Sequence, residues 1–327
     1  MSTRKTTTSL LRSLDPCSEV IVRFIRQDLI DEPGLDALAK MEIAFTGVEG
    51  LDDRTDYSVA RSRLLARRSV QVRYDPEALV LHVGGKQYRV TDAGFEDFCR
   101  DHRAVSIVVD ATSLDFSEIA LLLYAYTFSN KQPRVGFLYV EPKEYVRRNL
   151  EEPAVHGAAF DLSSGFSRQP IPPFIPLLTP SDTVHLVAFL GFEGGRLTQK
   201  LNEDDGQHFR KVTIVFGIPP FQATWDLEAF MANSRLLETS KANVKYCGAN
   251  NPKAAYDLLM TATSALTSRS ECNRLAICPF GTKPMAIGAA LYCADQRKAR
   301  VLFDHPKRKP GRTRGVHCMH WYEVEMA

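Results

Sequence analysis

The sequence predicts an α/β protein, with a doubly wound parallel sheet in its C-terminal half and an α+β or α/β domain in its N-terminal half. Three observations lead to this prediction. Short apolar runs alternate with helix-like segments over residues 183–327, an antiparallel meander lies earlier in the chain, and a Pro-rich stretch separates the two regions. Apolar strands that alternate with helices are typical of a parallel sheet covered by helices on both faces.

The N-terminal domain is predicted over residues 1–150. Residues 69–90 alternate between apolar and polar side chains and contain two turn signals, which predicts an antiparallel meander. Residues 105–140 follow as an apolar strand, an apolar helix and a second apolar strand. This order predicts a parallel βαβ unit. Residues 1–66 carry no equally clear pattern.

Residues 151–182 are predicted to connect the two domains. Prolines crowd the second part of this stretch, at positions 170, 172, 173, 176 and 180. Proline lacks a backbone donor and is excluded from helix interiors and central strands. We therefore expect an ordered or semi-rigid connector.

The C-terminal domain is predicted over residues 183–327 as a Rossmann-like fold. Its predicted strands are 184–190, 212–216, 244–247, 275–278 and 300–303. Its predicted helices are 196–202, 224–237, 252–268 and 284–296. A last strand over 316–324 is expected to close the chain at a sheet edge.

Composition narrows the class of protein. The 327 residues suit two domains, and the net charge of +2 argues neither for nucleic acid nor for a membrane surface. No run approaches the roughly 18 apolar residues of a membrane span, and the polar N-terminus lacks a signal core. Seven cysteines at irregular spacing without a Cys-x-x-Cys pair predict reduced thiols. We therefore expect a cytoplasmic protein.

The most informative motif is Gly281-Thr282-Lys283-Pro284, at the end of a predicted strand and the start of a predicted helix. Free backbone N–H groups and the helix dipole favour an anion at such a point, and Lys283 adds a full positive charge. Ligands of open α/β sheets bind beyond the carboxyl ends of the strands. We therefore expect Gly281, Thr282 and Lys283 to bind a phosphate or carboxylate, although helix initiation alone would explain part of the pattern.

A second motif, Gly194-Gly195-Arg196, follows the first strand of the same domain. Glycines let a ligand approach the backbone closely, and an arginine pairs with phosphate through two parallel hydrogen bonds. All three residues are therefore candidate ligand-binding residues. A plain turn with a surface arginine explains the pattern equally well.

Asp110, Glu141 and Glu193 are the candidates for acid–base catalysis, because each stands near the carboxyl end of a predicted strand. Helix capping is the simpler explanation for the residues after Asp110. The sequence predicts no metal site, because His317, Cys318 and His320 lack a partner cluster along the chain. It identifies no cofactor.

A basic loop near the C-terminus is the remaining feature. Its cations are Lys307, Arg308, Lys309, Arg312 and Arg314. A solvated loop is the ordinary explanation of such a charge run. The alternative is an arm that binds a polyanion such as nucleic acid.

The C-terminal half resembles the CARF and SAVED sensor domains of prokaryotic antiviral systems. The resemblance rests on Gly281-Thr282-Lys283-Pro284-Met285 and on the Gly194-Gly195-Arg196 turn. It implies that these positions hold the phosphates and bases of a cyclic oligonucleotide messenger, with Thr282 and Lys283 at a phosphate. SAVED domains contain two Rossmann-like halves, so the unit at 105–140 would be the second half.

These patterns favour a sensor or regulatory protein that binds a nucleotide-type ligand and acts through a protein partner or a second copy of the chain. Two alternatives stay open. One is an enzyme that acts on a nucleotide or a phosphorylated metabolite. The other is an assembly subunit that contacts nucleic acid through residues 307–314. No membrane partner is expected.

Overall fold

The computed structural model describes residues 21–147, 159–160, 162–203, 209–239, 241–270, 272–296 and 299–327. Part of the predicted N-terminal domain, residues 1–20 and 148–150, therefore lies outside the described residues. The same holds for residues 151–158 and 161 of the predicted connector and for Cys17. No described helix is long and apolar enough to cross a membrane.

The first half of the chain contains eight strands and four α-helices among the described residues. In chain order these are β1 (Val22–Ile30), α1 (Glu32–Asp36), β2 (Met41–Thr46), α2 (Asp53–Leu64), β3 (Ala66–Asp75), β4 (Val80–Val83), β5 (Lys86–Arg89), α3 (Asp92–Asp101), β6 (Ser106–Asp110), α4 (Phe116–Tyr126), β7 (Arg134–Tyr145) and β8 (Ser163–Phe166). A single 3₁₀ turn, Pro172–Phe174, follows in the Pro-rich stretch.

The second half continues the alternation of strands and helices. Its elements are β9 (Thr183–Leu190), α5 (Arg196–Glu203), β10 (Lys211–Gly217), α6 (Trp225–Ala232), α7 (Ser234–Thr239), β11 (Asn243–Cys247), α8 (Pro252–Thr267), β12 (Asn273–Pro279), α9 (Lys283–Asp295), β13 (Arg300–Val301), β14 (Pro306–Arg308) and β15 (Thr313–Met326).

The predicted α/β fold class is confirmed. Five strands of the second half form a parallel sheet in the order β11-β10-β9-β12-β13. The chain moves outward from β9 to β11 and then returns to place β12 on the other side of β9. This order is that of a doubly wound, Rossmann-like sheet.

The predicted helix over 224–237 is two helices, α6 and α7. They are separated at Asn233, whose side-chain amide donates hydrogen bonds to the Ala229 carbonyl and to the Gly191 carbonyl of the turn after β9. A side chain that bonds elsewhere in this way competes with the regular helix. The interruption thus fastens α6 to the turn after the first strand of the sheet.

Seven strands of the first half and β15 together form an eight-stranded mixed sheet in the order β1-β15-β7-β6-β2-β3-β4-β5. The meander predicted at 69–90 is present as the antiparallel strands β3, β4 and β5. The βαβ unit predicted at 105–140 is present as β6, α4 and β7, with the two strands parallel. Because β2 and β3 extend the parallel part, this half has a Rossmann-like core of its own.

The last strand differs from the prediction. We expect it at a sheet edge from the sequence, but β15 lies inside the N-terminal sheet, antiparallel to both β1 and β7. Its fully buried Trp321 packs over Gly136 of β7, where a Cβ atom would come within 2.2 Å of the indole ring. The chain therefore crosses back, and its last strand pairs with the first described strand in one sheet.

Helix α9 joins the two halves. It packs against α8 on one side and against α4 of the first half on the other, and all of its residues from Pro284 to Asp295 are buried. Gly288 faces α8 at close range, because a Cβ atom there would lie 2.3 Å from the Pro252 carbonyl oxygen. The glycine therefore permits the close packing of the two helices.

We expect Gly288→Ala to lower the free energy of unfolding by about 1–3 kcal/mol, because the added methyl group forces α8 and α9 apart. The higher helix propensity of alanine offsets only about 1 kcal/mol of this loss. Urea denaturation would measure the change. The matched control is Gly165→Ala, where the added Cβ meets nothing within 4 Å. Equal stability of the two variants would contradict the close packing.

Candidate anion-binding site

The carboxyl end of the parallel sheet contains the site. Strands β9 and β12 are neighbours in the sheet, and a turn follows each of them at this end. The direction in which the chain adds strands reverses between these two strands. Such a switch point opens a crevice in doubly wound sheets. Here the two turns lie side by side, since a Cβ on Gly191 would be 3.1 Å from the Phe280 carbonyl oxygen.

The equivalent switch point of the N-terminal sheet, between β2 and β6, is closed. The Gly47 N–H donates to Ser113 Oγ over 2.8 Å, and a Cβ on Gly47 would lie 2.5 Å from the Ser113 carbonyl oxygen. Backbone contact of this kind leaves no space for a ligand. The open crevice is therefore that of the C-terminal sheet.

This crevice contains a cavity of about 160 Å³. Its walls come from both halves of the chain: the turns after β9, β10 and β12, the start of α4, and the segments around β8 and β14. The charged side chains that line it are Asp115, Glu193, Arg196, Asp226, Lys283, Arg308 and Arg312.

Gly281 and Thr282 shape the start of α9. Thr282 is the N-cap residue, and its hydroxyl accepts from the Met285 N–H and donates to the Ala249 carbonyl. At Gly281 a Cβ would lie 2.8 Å from the Met285 sulfur. Both residues line the cavity, but the Thr282 hydroxyl already has partners within the chain.

Lys283 extends from the first turn of α9 towards α4. Its Nζ hydrogen-bonds the Leu114 carbonyl and lies 3.4 Å from Asp115 Oδ1. The side chain is only 19% exposed. Burial, and then the nearby Arg308 guanidinium, lower the pKa of Lys283 to about 7. The lysine is thus balanced between its charged and neutral forms near neutral pH.

Arg308 approaches the same carboxylate from β14. Its Nε donates to Asp115 Oδ1 over 2.8 Å. Its terminal nitrogens donate to the carbonyls of Thr112, Ser113 and Leu114. The side chain is 9% exposed. Its guanidinium thus encloses the backbone turn before α4.

Arg312 is a third cation near Asp115 and lines the same cavity. Its side chain is 11% exposed, its Nε makes no hydrogen bond, and that atom lies 3.8 Å from Asp52 Oδ2. Burial, and then Arg308, lower the pKa of Arg312 to about 10. Asp52 also faces the buried Arg54, so it neutralises Arg312 only in part.

Asp115 is therefore the carboxylate that Lys283 and Arg308 share. Burial alone would raise the pKa of its carboxyl group, but Arg308 and Lys283 lower that pKa well below its ordinary value. Glu118 completes the capping box of α4, and burial and the Asp115 charge raise its pKa to about 7. With Lys283 protonated, the cations at this end of the cavity outnumber the carboxylates that contact them.

Arg196 has a different surrounding from the one predicted. Its Nε donates to Asp304 Oδ2 over 2.9 Å, a second bond joins the same carboxylate, and its NH1 lies 3.2 Å from Glu193 Oε2. Its guanidinium carbon lies 4.3 Å from the centroid of the Phe280 ring. Two carboxylates already neutralise this arginine, so its first role is to connect the turn after β9 with Asp304.

The two glycines before Arg196 contact protein rather than open space. A Cβ on Gly194 would lie 1.7 Å from the Ala232 carbonyl oxygen at the end of α6. Gly195 has a φ of +84°, a left-handed conformation that favours glycine. Helix packing and turn geometry therefore explain both glycines.

Aromatic rings form another part of the cavity wall. Phe192 and Trp225 pack edge to face with their centroids 5.7 Å apart, and Phe221 and Phe280 line the cavity beside them. Flat apolar surfaces of this kind accept planar rings. The cavity thus combines a cationic end with an aromatic wall.

The three acidic candidates have separate partners in the structure. Oδ1 of the fully buried Asp110 accepts from Ser58 Oγ over 2.7 Å and from two backbone N–H groups, and burial raises the pKa of the carboxyl. Glu141 instead contacts His320 and Cys318. Neither carboxylate lines the cavity, and Glu193 is paired with Arg196.

The basic loop is not a continuous basic surface. Arg308 and Arg312 turn inwards to the cavity, whereas Lys307 and Arg314 are exposed and Lys309 is half-buried. Part of the loop is strand β14, which pairs with β8. Arg308 and Arg312 are therefore not part of a solvated arm, whereas polyanion binding through the exposed Lys307 and Arg314 stays a prediction.

Sequence reasoning did not identify Asp115, Phe192, Phe221 or Trp225 as parts of the site. Asp115 stands among the residues after Asp110, where helix capping is the simpler explanation, and its charged partners stand far away along the chain. Gly191, Phe192 and Glu193 immediately precede the predicted Gly194-Gly195-Arg196 turn. Their position next to this turn was the signal in the sequence for the aromatic wall.

No protein-family model matches the chain, and no curated protein matches it at a significant level.

Proposed function

We propose that this protein is a sensor or regulatory component that binds a phosphate-bearing, nucleotide-type ligand at the switch point of its C-terminal sheet. One observation carries the proposal: Lys283, Arg308 and Arg312 converge on the cavity, and a single carboxylate, Asp115, is shared by the first two. Excess positive charge that is largely shielded from water costs free energy unless an anion offsets it.

The cavity also limits the ligand. Its volume of about 160 Å³ is below the roughly 300 Å³ at which small-molecule pockets begin, so only part of a nucleotide fits inside. A phosphate beside Lys283 and Arg308, with a planar ring against Phe192 or Trp225, uses the charged and the aromatic surfaces together. The remainder of the ligand would extend towards the mouth of the crevice.

The same contacts offer a route for a signal. Lys283 belongs to the second half of the chain and hydrogen-bonds the Leu114 carbonyl of the first half. A phosphate that accepts a hydrogen bond from Lys283 in place of the Leu114 carbonyl also weakens this connection between α9 and α4. Ligand binding would then change the contact between the halves, and a protein partner or second copy would respond to that change.

The resemblance to CARF and SAVED domains makes cyclic oligonucleotides the first ligands to test and an antiviral system the first biological setting. Binding is proposed rather than turnover, because Asp110 and Glu141 stand outside the cavity wall and Glu193 is paired.

The test is a binding panel read by thermal unfolding and isothermal titration calorimetry. It contains cyclic di-, tri- and tetranucleotides, mononucleotides, inorganic phosphate and unphosphorylated nucleosides. We expect phosphate-bearing members to raise Tm in a concentration-dependent way and nucleosides to leave it unchanged. Equal shifts with nucleosides, or no shift with any member, would overturn the proposal.

A further inference from the structure

A β-bulge lies where β15 passes Glu141 of β7. Val316 is opposite Pro142 and Met319 is opposite Val140, so two residues of β15, His317 and Cys318, occupy the space opposite Glu141. Bulges re-aim side chains and are common beside functional sites. Here the bulge brings His317 and Cys318 together beside the carboxylate of Glu141.

His320 completes the group from the next position on this face of β15. Its Nε2 lies 3.1 Å from Glu141 Oε2 and 3.5 Å from Cys318 Sγ, and that sulfur lies 3.3 Å from the same carboxylate oxygen. His317 Nε2 lies 4.0 Å from Glu141 Oε1. The ligand atoms of Glu141, His317 and Cys318 all lie within 4.8 Å of one another.

These separations agree with the geometry of a tetrahedral metal site. Zinc bonds of about 2.0–2.3 Å at tetrahedral angles place neighbouring ligand atoms roughly 3.3–3.6 Å apart. The three distances among Glu141, Cys318 and His320 are within a few tenths of an ångström of that spacing. The side chain of His317 is 54% exposed, so it can rotate to close the site from the solvent side.

We propose that Glu141, His317, Cys318 and His320 form a zinc-binding site. A thiolate with two imidazoles and one carboxylate suits zinc, whereas Mg²⁺ and Ca²⁺ prefer oxygen ligands alone. The sequence alone does not indicate this site, because Glu141 precedes the other three ligands by more than 170 residues along the chain.

The surroundings support the ligands. Gln222 Nε2 lies 3.5 Å from Glu141 Oε1 and donates to the carbonyls of Pro142 and Lys143, so it holds the β7 end in place. The Tyr322 ring stacks on the His320 imidazole at 6.1 Å. Neighbours that orient ligands in this way are typical of metal sites. Four protein ligands define a structural site that stabilises the bulge.

The test begins with the metal content of the purified full-length chain. We expect mass spectrometry to find about one zinc per chain, and treatment with a chelator to remove the ion. Removal should lower Tm by about 5 °C, and added Zn²⁺ should restore it. Substitution with Co²⁺ should give a thiolate charge-transfer band. Zinc far below one per chain together with an unchanged Tm would overturn the proposal.

Variants separate a metal site from a hydrogen-bonded cluster. Cys318→Ser should lose the cobalt charge-transfer band, and the exposed Cys272, replaced by serine, is the matched control that should keep it. His317→Ala changes a largely exposed side chain, so the protein should fold normally while its zinc affinity falls at least tenfold. Unchanged zinc affinity in folded His317→Ala and Cys318→Ser proteins would refute the site.

Discussion

Lys283→Met is expected to weaken binding of a phosphate-bearing ligand by about a hundredfold without lowering the stability of the free protein. A charge-assisted hydrogen bond to an anion contributes about 1.5–3 kcal/mol, and its loss corresponds to roughly 10- to 150-fold in affinity. The free protein, in contrast, keeps a buried amine whose charged form is disfavoured by burial and by Arg308. Methionine removes that penalty and retains most of the packing volume.

The opposite signs of these two effects make the experiment informative. Titration calorimetry would measure affinity, and urea denaturation of the free protein would measure stability. The matched control is Lys253→Met, which removes an exposed lysine that pairs with Asp257 on α8. Unchanged affinity in Lys283→Met would place the ligand elsewhere. A clear loss of stability would show instead that the bond to the Leu114 carbonyl is the main role of Lys283.

Much of the fold could be predicted because its signals are local. Apolar runs, helix caps and turns identified the five parallel strands and placed the turn before α9 at the carboxyl end of the sheet. The exceptions involve long-range contacts. Nothing near strand β15 in the sequence indicates that β7 and β1 are its neighbours.

The site follows the same rule. The local pattern at Lys283 indicated an anion site. That Arg308 lies beside Lys283 depends on the pairing of β14 with β8, which the sequence around Lys283 does not indicate. Arg196 illustrates the converse. Its Gly-Gly-Arg turn indicated a ligand contact, whereas Asp304, 108 positions further along, takes up the guanidinium. Charge pairing between distant segments cannot be read from spacing.

The contribution of Lys283 to the stability of the free protein is expected to rise between about pH 7 and pH 10. The pKa of Lys283 is about 7 in the folded chain and near 10.4 in an unfolded one. Between these values the unfolded chain binds more protons at this site, so raising the pH favours the folded state by up to about 1.4 kcal/mol per pH unit. Below pH 7 the amine is charged in both states and the slope disappears.

Other groups also titrate in this range, so the contribution of Lys283 is the difference between the unmodified protein and Lys283→Met. Urea denaturation at a series of pH values would measure it, and equal slopes in the two proteins would contradict the lowered pKa.

A bound phosphodiester, which does not titrate here, should hold Lys283 in its charged form. Affinity should therefore fall by up to tenfold per pH unit above pH 7, and binding at pH 8 should take up a proton, which calorimetry in buffers of different ionisation enthalpy would detect. Proton uptake that persists in Lys283→Met would assign it to another group.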